Sequence, residues 1–216
     1  MKIKLFLQLI IFCFSVNFAH AAPIPENQAR QWVNEKGNLL LDTFSEKDLS
    51  IKHEKLDYLF LNHVGLDYIA RFVMGKYWRD MNEDQRKRYK DLFIRYSLGV
   101  YKSFPLDFED RVSFKITAVD TKDKYSDVST HIEMKEAPSK EFESILVIFR
   151  LSNSSGSIKI TDIKLFESSL ILSYRNRFAQ MMMDAEEDIE WFLEELNDIV
   201  ESTEESNRRK FQTNNP

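Results

Sequence analysis

Arg111-Val112-Ser113-Phe114-Lys115-Ile116-Thr117-Ala118 decides the fold, because here the apolar period of the chain changes from helical to two. Val112, Phe114, Ile116 and Ala118 alternate with polar neighbours, the pattern of a half-buried strand. After the turn-rich stretch 120–127, Val128, Thr130, Ile132 and Met134 alternate in the same way. Ile145-Leu146-Val147-Ile148-Phe149 is apolar at both parities, which predicts a central strand covered on both faces. Asn153-Ser154-Ser155-Gly156 then reads as a hairpin turn. Beyond it Ile158 and Ile160 share one parity while Ile163 and Leu165 take the other, so a bulge or bend is expected near Asp162.

Upstream of these strands, residues 25–104 carry the helical period. Pro25 suits a first helical turn, and Trp32, Val33, Leu39, Leu40 and Phe44 are spaced to share a broad face of the helix that follows. Leu56, Leu59, Phe60 and His63 predict a second, shorter helix, and Leu66, Ile69, Phe72, Val73, Tyr77 and Trp78 a third. Asn82 with Gln85 three residues later forms a capping-box pattern. It opens a helix through Tyr89, Leu92, Phe93, Tyr96, Val100 and Phe104, ended by Pro105. Downstream of the strands, Leu170, Ile171, Tyr174, Phe178, Met181 and Met182 return to helical spacing, with Ser168 or Ser169 as the cap. A last helix puts Ile189, Phe192, Leu193, Leu196, Ile199 and Val200 on one stripe and acidic residues elsewhere. It reads either as docked on its own domain or as a partner-binding helix. The sum is an α+β domain: N-terminal helices, a curved antiparallel sheet of about four strands, and C-terminal helices.

The chain has 216 residues, of which 43% are hydrophobic and 30% charged, so it suffices for one sizeable core and is neither disordered nor fibrous. Lys2 and Lys4 precede the apolar run Leu5–Phe14, and Ala19-His20-Ala21 supplies the small residues of a cleavage site. Residues 1–21 are therefore expected to be a cleaved secretory signal, the run being short for a span and soon broken by Ser15 and Asn17. Removing its two lysines takes the formal net charge from −5 to −7, an acidic balance that argues against nucleic-acid binding. The single cysteine, Cys13, leaves with the signal, so the mature protein has no disulfide, which fits a bacterial periplasm. One domain is expected over 22–202, followed by a frayed polar tail over 203–216.

Several kinds of chemistry find no support in the residues. Glycines are few and isolated, so neither GxGxxG nor GxxxxGK is present. His53-Glu54 is not followed by a second histidine at helical spacing, and no GxSxG surrounds any serine. His131 falls on the polar parity of its strand, where a surface role is expected. Asp162, at the strand irregularity, is the one carboxylate that an enzyme reading would single out. The aromatics have two readings: a packed core, or the lining of a cavity for an apolar ligand enclosed by the sheet and helices.

Two separated segments carry a resemblance. Ala70-Arg71-Phe72-Val73-Met74-Gly75-Lys76-Tyr77-Trp78-Arg79, followed by Gln85-Arg86, Tyr89 and Phe93, is similar to the G-x-Y-W-R…Q-R-x-x-Y/F…F signature of the MlaC family, also called the toluene-tolerance auxiliary family. Asp162, Ser169-Leu170 and Ser173-Tyr174-Arg175-Asn176-Arg177-Phe178 resemble that family's D-V…G-x-S-L…Y-R-x-x-F close. Order and spacing agree over about residues 39–182. Two departures stand out: Glu167-Ser168 replaces the usual glycine and its neighbour before Ser-Leu, and Ser157 or Ile158 stands where a tryptophan is usual.

The resemblance implies a periplasmic shuttle with no catalytic, metal or cofactor site, whose cargo is a glycerophospholipid with its tails inside and headgroup outside. Its implied partners are an outer-membrane lipoprotein–porin complex and an inner-membrane ABC transporter bearing an MCE-domain ring, met by a monomer. Inward parity makes Phe72, Tyr77, Trp78, Phe93, Tyr96, Ile148, Leu170, Tyr174 and Phe178 the expected slot lining, so Leu170→Glu is expected to expel lipid. Arg175 is expected to serve either a headgroup contact or a structural ion pair. The rival readings are a periplasmic chaperone or peptide-binding module using the same groove, and a small hydrolase or isomerase.

Overall fold

The computed structural model describes residues 23–103, 111–137, 139–140, 143–153 and 156–214. The expected signal segment, the helix end at Phe104 and Pro105, and Ser154 and Ser155 of the expected turn lie outside these residues. No described helix is long and apolar enough to cross a membrane.

Helix α1 (Glu26–Phe44) follows Pro25, and α2 (Leu49–His63) is capped by the Asp48 carboxylate, which accepts from the Ser50 and Ile51 amides. The expected third helix divides into α3 (Leu66–Met74) and α4 (Tyr77–Asp80). The break is at Gly75, whose φ of +59° a side chain would strain. A Cβ there would also lie 3.0 Å from the Arg175 guanidinium. Helix α5 (Glu83–Ser103) opens with the expected reciprocal box: the Asn82 amide donates to Gln85 Oε1 and the Gln85 amide to Asn82 Oδ1, both at 2.9 Å.

Strands β1 (Val112–Thr121), β2 (Ser126–Met134), β3 (Ser144–Ser152), β4 (Lys159–Leu165) and the two-residue β5 (Ser168–Ser169) form one antiparallel meander in sequence order. Helices α6 (Leu170–Asp184) and α7 (Ile189–Asn214) complete the α+β fold read from the sequence. The irregularity expected near Asp162 is a register shift at Arg150/Leu151, opposite Asp162 and Ile160.

Three expectations are corrected. Strand β1 also shifts register between Ile116 and Ala118, so Val119 rather than Ala118 packs inward, beside Val128. Strand β3 is central but not covered on both faces: Leu146 is 39% exposed, and Ile148 shares its face with Arg150, which forks the Asp127 carboxylate. The segment read as a polar tail is helical through Asn214. It is tied down where Arg95 grips Glu204 at 2.8 and 3.0 Å, Asn207 donates to the Gly99 carbonyl, and Phe211 meets the edge of His53.

Two cores result. In the larger, Tyr89, Phe93 and Tyr96 of α5 meet Phe178 and Met182 of α6 and Phe192, Leu193, Leu196 and Val200 of α7. The last helix thus docks its apolar stripe on its own domain. In the smaller, Ile24, Ala29 and Val33 lie on Val128 and Leu151 of the sheet.

Candidate functional site: an apolar cleft under the first two helices

Helix α1 seats on the sheet through its first half, where Ala29 and Val33 are buried, while Leu39 and Leu40 in its second half are 41% and 36% exposed. Gly37 lies between these halves, and a Cβ on it would come within 2.5 Å of the Phe114 ring. The second half, α2 and the sheet leave an apolar cleft with two adjoining chambers. The outer one, about 320 Å3, is bounded by Leu40 and Phe44 of α1, Leu56, Leu59 and Phe60 of α2, and Ile160 of β4. The inner one, about 140 Å3, lies between α1 and the sheet residues Val112, Phe114, Ile132 and Phe149. Trp32, Lys36, Leu40, Phe44 and Ile160 border both.

The walls are held by contacts among their own residues and with the end of α5. Asp57 of α2 accepts from Tyr101 Oη and from Lys102 Nζ, fastening α2 to the end of α5. Phe60 packs on Tyr101 with ring centroids 5.5 Å apart, and Trp32 sets its edge against His63 at 5.7 Å.

Charge at the cleft is positive. Lys36 borders both chambers and has no carboxylate partner among the described residues. Burial, then the nearby Lys36 and Lys159 ammonium groups, hold the His63 imidazole below the usual histidine range. Lys159 Nζ donates to the Asn62 carbonyl at the end of α2.

A second, wider cleft of about 1010 Å3 adjoins at Val64. It is more polar, bordered by Arg71, Lys159 and the Lys90–Asp67 ion pair at 2.6 Å.

The residues singled out for the slot divide differently. Phe72 borders the wider cleft, with the Arg175 guanidinium 5.0 Å above its ring. Phe93, Tyr96 and Phe178 pack on one another in the helical core, where the Phe178 centroid lies 5.9 Å from Phe93 and 5.4 Å from Tyr96. Tyr174 sits edge-on to Tyr96 at 5.9 Å, and burial pushes its phenol up to about 12. Tyr77 donates to Glu187 at 2.7 Å, and Trp78 lies between the Arg71 and Arg86 guanidiniums. Leu170 is 39% exposed on the first turn of α6, and Ile148 faces away from α1. None of the nine borders either apolar chamber. Arg175 makes no ion pair among the described residues; it covers Phe72 and fills the space above Gly75.

Asp162 is committed as well. It is 3% exposed; Oδ2 accepts from Ser169 Oγ at 2.8 Å and Oδ1 from the Ile171 amide at 3.3 Å, joining β4 to the start of α6. The residues that do form the chambers include Trp32, Leu40 and Phe44, whose signal was an apolar helix face wider than its buried part.

The sequence matches the family model described as MlaC protein over residues 35–198. Among solved structures it is similar to the phospholipid-binding protein from Ralstonia solanacearum, determined at 1.53 Å in complex with a phospholipid. That likeness has a TM-score of 0.67 at 15% identity and covers 81% of this chain and 98% of the other. A search of the curated proteins finds no match.

Proposed function

The chain belongs to the MlaC family, and on that premise we propose that it carries glycerophospholipid, holding acyl chain in the cleft beneath α1 and α2 with the headgroup at its mouth. The observation that carries the reading is the cleft itself. Its chambers are walled by aliphatic and aromatic side chains, and the cation bordering both, Lys36, is unpaired among the described residues. An anionic phosphate beside Lys36 and Lys159 would meet a charge that the protein leaves uncompensated. The phospholipid in the Ralstonia protein of the same fold supports this class of cargo.

The energetics require no fuel within the chain. Two acyl chains hold about 30 methylenes, worth on the order of 20 kcal/mol relative to water. They leave a bilayer equally apolar, so transfer into a dry cleft is close to neutral and direction is set by partners. The expected partners are the outer-membrane lipoprotein–porin complex and the inner-membrane ABC transporter with its MCE-domain ring, met in the periplasm by a monomer that has shed residues 1–21. The commitment of Asp162 to Ser169 and the Ile171 amide supports a binding role over hydrolysis.

Detergent-free purification followed by native mass spectrometry and organic extraction is expected to give one phospholipid per chain. Bound peptide, or a stably folded chain with no ligand, overturns the carrier reading. Leu40→Glu places a charge where both chambers meet and is expected to abolish lipid co-purification. Leu170→Glu, at an exposed site outside the chambers, is expected to retain it.

A further inference from the structure

Thr130 lies on β2 between Ile116 of β1 and Val147 of β3, and borders the inner chamber. It is 1% exposed, and its Oγ1 is buried without a hydrogen-bond partner among the described residues. The other sheet residues at this chamber, Val112, Phe114, Ile132, Phe149 and Ile160, present hydrocarbon only. Valine would fill nearly the same volume without the burden of an unpaired hydroxyl; Oγ1 is closed off in this conformation, so it becomes a contact for a ligand atom when α1 lifts from the sheet.

Three facts define that atom. A hydroxyl donates to neutral and ionised oxygens alike, but a phosphate or carboxylate here would have to leave the Lys36 ammonium for an apolar floor, which leaves a neutral acceptor oxygen for Thr130. Lys36 borders the same chamber, so an anion held by it and an acceptor at Thr130 are separated by the chamber's width. A space of about 140 Å3 is on the order of 5 Å across. In a glycerophospholipid the phosphate and the acyl ester carbonyl are about five bonds apart, on the order of 6 Å.

We propose that Thr130 donates a hydrogen bond to an acyl ester carbonyl of the cargo, making the cleft selective for ester-linked over ether-linked glycerophospholipid. This rests on the carrier reading and adds a chemical criterion to it. The inner chamber then holds the junction between glycerol and chain, and the chain continues into the outer chamber between α1 and α2.

The test compares binding of dipalmitoyl phosphatidylglycerol with its dihexadecyl ether analogue, matched in head and chain length, by the delipidated full mature protein. The wild type is expected to favour the diester about tenfold, the effect of one buried hydrogen bond. Thr130→Val is expected to bind both lipids alike, at the wild-type level for the ether, while its lipid-free melting temperature rises. Thr130→Ser, which keeps the hydroxyl, is expected to regain the preference. Equal wild-type binding of the two lipids, or a preference that survives in Thr130→Val, overturns the assignment and leaves the carrier reading standing. Wild-type protein that binds neither lipid overturns both.

Discussion

At the tip between β4 and β5, Phe166 and Glu167 have φ values of +48° and +65°, a conformation that costs any residue with a Cβ. Glu167 is the position where the resembled motif carries glycine, so the departure falls on backbone that favours glycine. Glu167→Gly trades about 1–2 kcal/mol of steric cost against the greater freedom of glycine in the unfolded chain, about 0.4–1 kcal/mol. The expected outcome is a protein more stable by about 0.5 kcal/mol in denaturant titration. Glu167→Ala, which keeps a Cβ, is expected to stay at the wild-type value. The other motif residues likewise have structural tasks. Gly75 leaves room for Arg175, Arg86 donates to the Trp78 carbonyl, and Asp162 ties β4 to α6. The motifs therefore mark the family's scaffold, while the slot lining expected from inward parity includes rings that pack in the helical core. Phe93, Tyr96 and Phe178 have inward helical parity in either case, and parity cannot distinguish a ring facing a cavity from one facing another ring.

The same limit applies to elements. Periodicity located the helices and the order of the sheet, because each presents one apolar face over many residues. It missed the bulge after Ile116 and the break at Gly75, which depend on a local register and on a side chain a hundred residues away. It also could not show that Leu39 and Leu40 of α1 stay 41% and 36% exposed. Helix α2, which closes the cleft, carries His53 and His63, both held below the usual histidine range, mainly by burial. The native chain therefore binds fewer protons than the unfolded chain as the pH falls below about 6.5. That stability is complete above this value and is lost as the pH drops through the lower native values. A melting temperature that declines between pH 7 and pH 5 is expected, with a shallower decline in His63→Gln. Anionic lipid at the mouth would offset Lys36 and Lys159, so titration of the His63 ring by NMR is expected to show its pKa rising on lipid addition. An unchanged ring pKa in lipid-saturated protein would remove the phosphate from the mouth.

The whole molecule separates its tasks between its two cores. The helical core, where the rings of Tyr89, Phe93, Phe178 and Phe192 pack together, is built from α3 to α7. The cleft depends on α1 and α2, whose outward residues Leu39, Ile51, Tyr58 and Leu61 are between 41% and 59% exposed. Its chambers of about 320 and 140 Å3 are small for two acyl chains, which call for space near the top of the usual 300–1,000 Å3 range. Full loading of these two chambers, without a chain running on at Val64 into the wider cleft, therefore requires α1 and α2 to move outward from the sheet while the helical core stays fixed. Stripping lipid would reverse that movement, because an empty apolar void costs about 24 cal/mol per Å3 and the nearest way to remove it is collapse of the walls. Hydrogen exchange on loaded and delipidated protein is expected to differ in residues 26–63 and to match in 83–103 and 170–200. Differences spread evenly over all three segments would mean that the cores are coupled and that the lipid serves as part of the scaffold. No difference anywhere would mean that the cleft takes its cargo without moving, which at these volumes restricts the part held in the two chambers to a single chain and sends a second into the wider cleft at Val64.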